Sequence, residues 1–199
     1  MTRSIVIIYF SEADTTHQVA ESICAGVAHV NELRSCDFEC HLLRITSEQI
    51  IGGRFSETGY LKLIDDADAV IFGSPTYMGG PAAQFKAFAD ESSSRWDEQR
   101  WDSKVAAGFT VGSNPGGDQL STLQYLSVLA AQHGMLWVNL TMPLDHEVNT
   151  ENKLGAQLGF AGTVPGDTIS AADVKAAQQL GARVTQLCHR LASCGNMVD

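Results

Sequence analysis

The run Ser4–Phe10 (SIVIIYF) constrains this chain more than any other stretch, because its apolar, largely β-branched and aromatic side chains do not alternate with polar ones. A strand apolar on both sides must be covered on both faces, as in a parallel sheet held between two layers of helices. The next segment fits: Val19, Ile23, Val27 and Val30 recur at four- and three-residue spacing and form one apolar stripe of a helix. Thr15, with Gln18 three residues on, predicts a capping box at its start. Phe38–Ile45, Ala67–Gly73, Lys104–Val111 and Met135–Leu140 read as four further strands. Between them, Gly80 and Pro81 are expected to open a helix that buries Phe85 and Phe88, and Leu120, Leu123, Leu126 and Leu129 mark another. Ser170 is expected to cap a last helix, with Asp173 in its first turn and a stripe from Val174 through Leu180 and Leu187 to Leu191. Five strands with crossover helices and no internal repeat or linker predict one α/β domain over 1–199, a doubly wound parallel sheet of order 2-1-3-4-5.

Thr141–Thr168 breaks the alternation: it has no sustained period and carries glycines at 155, 159, 162 and 166. A loop of that length in a compact domain is usually functional. Its Leu154–Val164 stretch is apolar and glycine-rich, a surface that a monomer would expose.

Composition excludes several classes of function. Asp and Glu number 23 against 13 Lys and Arg, a net charge of -10 that repels nucleic acid and anionic membranes. No stretch approaches the roughly 18 apolar residues of a membrane span, and the N-terminus lacks a signal-peptide pattern, so a cytoplasmic location without membrane insertion is expected. The cysteines at 24, 36, 40, 188 and 194 form no C-x-x-C pair and are expected to be reduced. His17, His29, His41, His146 and His189 show no metal-ligand spacing with them, and no metal is expected. No G-x-S-x-G elbow is present for covalent hydrolysis. Trp96 and Trp101 are expected as half-buried anchors of a surface loop.

In a sheet of this order, ligands bind outside the carboxyl ends of the strands. Strand one is followed by Ser11-Glu12-Ala13-Asp14-Thr15-Thr16-His17, a hydroxyl-rich turn entering a helix N-terminus, where a phosphate is a natural guest. The same residues also make an ordinary helix cap, and both readings stand. If Asp14 faced a phosphate about 6 Å away, repulsion of about 2.8 kcal/mol would follow at an effective dielectric near 20. Strand three leads into Gly73-Ser74-Pro75-Thr76-Tyr77-Met78-Gly79-Gly80-Pro81, where close backbone approach, apolar faces and a hydroxyl suit a flat ligand. A plain turn with a buried tyrosine is the alternative. Strand four leads into Thr110-Val111-Gly112-Ser113-Asn114-Pro115-Gly116-Gly117-Asp118-Gln119, which offers N–H donors to ring carbonyls. His133, before Gly134, is either a helix-end residue or part of the site.

Taken in order, IVIIYFSEADTTHQVAESICAGV, IFGSPTYMGGPAAQFKAFAD, the glycine-rich stretch to Asp118-Gln119, AQHGM and LGAQLGFAGTVPGD resemble the flavodoxin-like FMN proteins. The nearest subgroup is the WrbA-type NAD(P)H:quinone oxidoreductases. The resemblance implies FMN as cofactor, NAD(P)H as electron donor, a quinone-like flat acceptor, and assembly as a homodimer or homotetramer. It places Ser11, Asp14, Thr15 and Thr16 at the FMN phosphate, Pro75, Thr76, Tyr77, Met78 and Gly79 along the isoalloxazine, and Thr110, Gly112, Gly116 and Gly117 at its other edge. His133 matches the family histidine near the flavin and is implied as catalytic, a hydrogen-bond donor to the acceptor oxygen. The chain departs from the pattern with Asp14 in place of a glycine, Tyr77-Met78 in place of an arginine-phenylalanine pair, and Pro115 within the glycine-rich run. An electron carrier without its own substrate, and an interaction protein that has lost FMN, are the alternatives.

Overall fold

The computed structural model describes residues 3–141, 152 and 154–195. Strand β1 (Arg3–Phe10) leads through α1 (Thr15–Arg34) to β2 (Phe38–Ile45). A single 3-10 turn (Ser47–Gln49) and a hairpin of β3 (Ile50–Ile51) and β4 (Arg54–Phe55) precede α2 (Thr58–Asp66) and β5 (Ala69–Tyr77). Next come β6 (Gly80–Pro81), α3 (Ala83–Glu91), α4 (Ser93–Asp97), β7 (Val105–Gly112) and α5 (Gln119–Gln132). The chain continues through β8 (Leu136–Trp137) and β9 (Phe160–Thr163) to α6 (Ala171–Gly195).

The main sheet runs β2-β1-β5-β7-β8 with parallel pairing throughout that path, the flavodoxin-like 2-1-3-4-5 order counted along the chain. Alternate residues of β1 feed two separate cores. Ile5, Ile7 and Tyr9 pack with α1 and α6, whereas Val6, Ile8 and Phe10 pack with α2, α3 and α5. That two-sided burial is the physical reason for the unbroken apolar run.

The fifth strand position differs from the expected Met135–Leu140. Only Leu136 and Trp137 pair with β7, opposite Val105 and Ala106, and the same edge resumes with Phe160–Thr163 opposite Phe109–Gly112. Thr141–Thr168 therefore contributes a strand to the sheet. Phe160, Ala161 and Val164 are buried within the chain, so Leu154–Val164 is no exposed apolar surface and gives no hint of self-association.

Other expectations also change. Gly80–Pro81 opens no helix; it returns antiparallel against Thr76–Tyr77, and α3 begins at Ala83. Leu120 is exposed while Leu123 and Leu126 are fully buried, because the inward stripe of α5 starts one turn later. Trp101 is wholly buried and donates its indole N–H to Asp65 Oδ1 at 2.8 Å, while Trp96 stays half exposed. Cys24 and Cys40 are joined as a disulfide between α1 and β2, with Cα atoms 5.9 Å apart, and Cys36 and Cys188 are free. The helix and its neighbouring strand create that pairing, which no local spacing announces. His146 and the side chain of Cys194 lie outside the described residues. Ser170 does cap α6: its Oγ accepts from Asp173 N at 3.2 Å and donates to Asp173 Oδ2 at 2.6 Å.

Candidate functional site

At the carboxyl ends of β1, β5 and β7 lies a cavity of about 150 Å³. The turn after β1 and the start of α1 contribute Glu12, Ala13, Thr15 and Thr16, and the end of β5 contributes Pro75, Thr76 and Tyr77. Val111, Gly112 and Ser113 from the end of β7 and Val164 and Gly166 beyond β9 complete the lining.

The start of α1 is arranged for an acceptor. The helix begins at Thr15, whose own N–H donates to Ala13 O at 2.8 Å, so that among the first four N–H groups of α1 the one left open is that of Thr16. Gln18 N reaches Asp14 O at 2.9 Å, and His17 N is taken by Ser11 Oγ at 3.2 Å. Tyr9 and His17 brace this turn from below, the phenol oxygen 2.6 Å from Nδ1, and burial pushes the Tyr9 hydroxyl up to about 12. The expected capping box does not form. Gln18 instead donates to Asp167 O at 2.7 Å and accepts from Ile169 N at 3.1 Å, fastening the chain beyond Gly166 to α1.

Asp14 follows neither of its two expected roles. Its side chain makes no cap hydrogen bond, and its carboxylate pairs with Arg44 Nη1 at 2.7 Å. Arg44 also donates from Nη2 to Ser11 O at 2.7 Å, so one guanidinium ties both ends of the turn to the end of β2. The backbone of Asp14 is left-handed, φ 58°, the conformation for which glycine is the unstrained residue. With its charge matched by Arg44, the expected repulsion does not apply.

The remaining sequence candidates separate by position. Ser11 is buried behind the turn. Thr110 lies fully buried beneath Thr76, their hydroxyls 2.8 Å apart, and Thr122 approaches the same Thr76 oxygen at 2.7 Å. Thr110 thus orients Thr76 and does not itself line the cavity. Met78 and Gly79 both take positive φ at the two-residue tip between β5 and β6, and Met78 is fully exposed. Gly116 and Gly117 belong to an exposed turn that Gln119 closes by donating to Asn114 O at 2.9 Å. These four stand just beyond the cavity lining, which reaches Tyr77 on one strand end and Ser113 on the other.

His133 lies apart from these. It ends α5 just before β8, whose Leu136 pairs with the first residue of β7, so it stands at the opposite end of the sheet from the cavity. Its Nε2 lies 2.9 Å from Ser92 Oγ, its ring is 4.3 Å from Trp101, and burial lowers its pKa to about 4. Within one chain it does not reach the cavity.

Glu12, Gln18 and Arg44 were missed as site residues. Arg44 was not legible because parallel pairing of β1 and β2 brings it to the turn from 33 residues away. Glu12 and Gln18 carry no signal beyond that of an ordinary turn and helix cap.

The donors fit FMN as the resemblance implies it: the Thr16 N–H and the hydroxyls of Thr15 and Thr16 for a phosphate, and the Pro75–Tyr77 wall for a ring. Among the described residues no group of three His, Cys, Asp or Glu could hold a metal, and no helix is long and apolar enough to cross a membrane.

Residues 26–148 match the family model described as NADPH-dependent FMN reductase. The chain is 32% identical to flavodoxin FldP of Pseudomonas aeruginosa, over 94% of this chain and 97% of that protein. It is 36% identical to an NAD(P)H dehydrogenase (quinone) of Archaeoglobus fulgidus, over 64% of this chain and 63% of the other. The crystal structure of a flavodoxin, WrbA-like protein from Agrobacterium tumefaciens superposes with a TM-score of 0.73 and 36% identity, covering 95% of this chain and 99% of that one. The chain therefore belongs to the NADPH-dependent FMN reductase family, flavoproteins that work with FMN and a reduced nicotinamide.

Proposed function

We propose that this protein binds FMN in the cavity at the strand ends and uses NAD(P)H to reduce a flat, quinone-like acceptor. The overall reaction is NAD(P)H + H⁺ + quinone giving NAD(P)⁺ + hydroquinone. FMN, when bound, supplies the hydride and electron chemistry, and the protein's part is orientation and electrostatics. The observation that carries this reading is the cavity itself, where the first turn of α1, with Thr15 and Thr16, shares the lining with Pro75, Thr76 and Tyr77. Thr15 and Thr16 would hold the phosphate, and Pro75, Tyr77, Gly112 and Ser113 would hold the ring. Gln18 keeps the Val164–Gly166 segment in place over the site.

The protein works as one FMN-binding domain in the cytoplasm and assembles as a homodimer or homotetramer, as the family resemblance implies. A monomer mass by light scattering at micromolar concentration would rule out that assembly. FMN-loaded protein is expected to consume NADH or NADPH when a soluble quinone is added and no other protein is present. Consumption that begins only after a separate reductase is supplied favours the second reading, an electron carrier. That reading draws support from the flavodoxin FldP relative and from an acidic surface suited to basic redox partners.

Arg44→Ala is expected to weaken FMN binding about tenfold, because it leaves the Asp14 carboxylate unmatched beside the phosphate turn. Adding Asp14→Gly to that variant should recover most of the loss, since glycine accepts the left-handed backbone and removes the charge. Calorimetric titration of the two variants with FMN checks both statements. Equal affinity in the native protein and Arg44→Ala would mean that the ion pair does not hold the turn.

A further inference from the structure

Among the described residues Glu12 is the one formally charged side chain lining the cavity. The nearby cation is already engaged: Arg44 holds Asp14 and Ser11 O. Glu12 is exposed, and its negative charge is felt at the Tyr77 hydroxyl across the cavity mouth, where burial first and Glu12 second raise the tyrosine pKa. A site that must accept the phosphate of its cofactor thus carries an exposed carboxylate in the turn between β1 and α1, on a cavity that Tyr77 also lines. The FMN phosphate is left to N–H groups and hydroxyls, which act at short range. Glu12 acts at longer range on whatever approaches the ring.

We propose that Glu12 is a specificity-determining residue, selecting uncharged flat acceptors and rejecting those that carry an anionic substituent. This rests on the quinone-reducing function proposed above. A single unmatched carboxylate near an incoming anion changes affinity by about tenfold at low ionic strength, and salt screens the effect because the group is open to solvent. The neighbouring lining groups, Thr76, Ser113 and the Tyr77 ring, contribute no compensating positive charge.

The test uses FMN-loaded protein, native and Glu12→Gln, with two acceptors built on one ring system: 2-methyl-1,4-naphthoquinone and 1,4-naphthoquinone-2-sulfonate. Dissociation constants are measured by calorimetry on the oxidised protein without NAD(P)H, and kcat/KM is measured in parallel. The ratio of sulfonate to neutral dissociation constants is expected to fall about tenfold in Glu12→Gln, with the sulfonate value carrying the change. The native ratio should shrink in the same direction at 0.5 M salt, a check that needs no variant. If both quinones bind with a ratio indifferent to Glu12→Gln, the charge selection is overturned and the quinone reading stands. If neither quinone binds to FMN-loaded protein, the quinone reading fails and this inference fails with it.

Discussion

Valine at position 181 is expected to cost about 3 to 5 kcal/mol, a large part of the stability of an ordinary domain. Helices α1 and α6 cross with their backbones in contact at two glycines. A Cβ on Gly181 would lie 2.0 Å from the carbonyl oxygen of Ile23, and one on Gly26 would lie 2.0 Å from that of Gln178. Backbone atoms inside two long helices cannot step aside as a side chain can, so the helices must separate. That separation opens the core of Val19, Ile23, Leu180 and Val184. It also displaces α1, whose first turn carries Thr15 and Thr16 to the cavity. Urea unfolding of Gly181→Val should therefore show a much lower midpoint, together with weakened FMN binding. Gly116→Ala is the control: its Cβ meets nothing within 4 Å, and only the positive φ of 68° opposes it, a cost of about 1 kcal/mol. Similar losses in the two variants would mean that close helix approach is not what fixes residue 181.

The second large effect is acid sensitivity centred on His133. Ser92 donates its hydroxyl proton to Ala89 O, so the His133 Nε2–H donates to Ser92 Oγ and leaves Nδ1 bare, buried and without a partner. Protonation would put a charge on that nitrogen against the Trp101 ring in a dry site, and burial lowers the pKa to about 4. The folded protein then binds fewer protons than the unfolded chain between about pH 6.5 and pH 4, so stability rises with pH across that window. The contribution is fully present above pH 6.5, and about 3 kcal/mol of it is lost as pH falls to about 4. Unfolding free energies measured at steps from pH 7 to pH 4 should fall more steeply for the native protein than for His133→Gln. Parallel pH profiles would show that His133 does not carry this loss.

The sheet was legible in the sequence because its signal is local. A run such as SIVIIYF must be covered on both faces wherever it lies, and the helix stripes that follow each strand say what covers it. What escaped was set by distance along the chain. The fifth strand position is filled by two short pieces, 136–137 and 160–163, and neither has the length of a recognisable strand. Of the candidate site residues, Thr15, Thr16, Pro75, Thr76, Tyr77 and Gly112 line the cavity because each sits at or just past a strand end, where the topology itself places ligands. His133 was misplaced because likeness to a family position says nothing of which end of the sheet a helix reaches; α5 carries it about 20 Å from the strand ends. Asp14 was weighed as an isolated charge, and its partner Arg44 became visible only once β2 lay beside β1.

The central claim is that the cavity between the α1 N-terminus and the ends of β5 and β7 holds FMN by its phosphate as well as its ring. Titration of the native protein with FMN and with riboflavin, followed by the quenching of flavin fluorescence, tests it directly. Stoichiometric binding of FMN, with riboflavin at least about a hundredfold weaker for want of the charge-assisted hydrogen bonds to its phosphate, is the predicted result. Equal affinity for the two, or no binding of either, would contradict it.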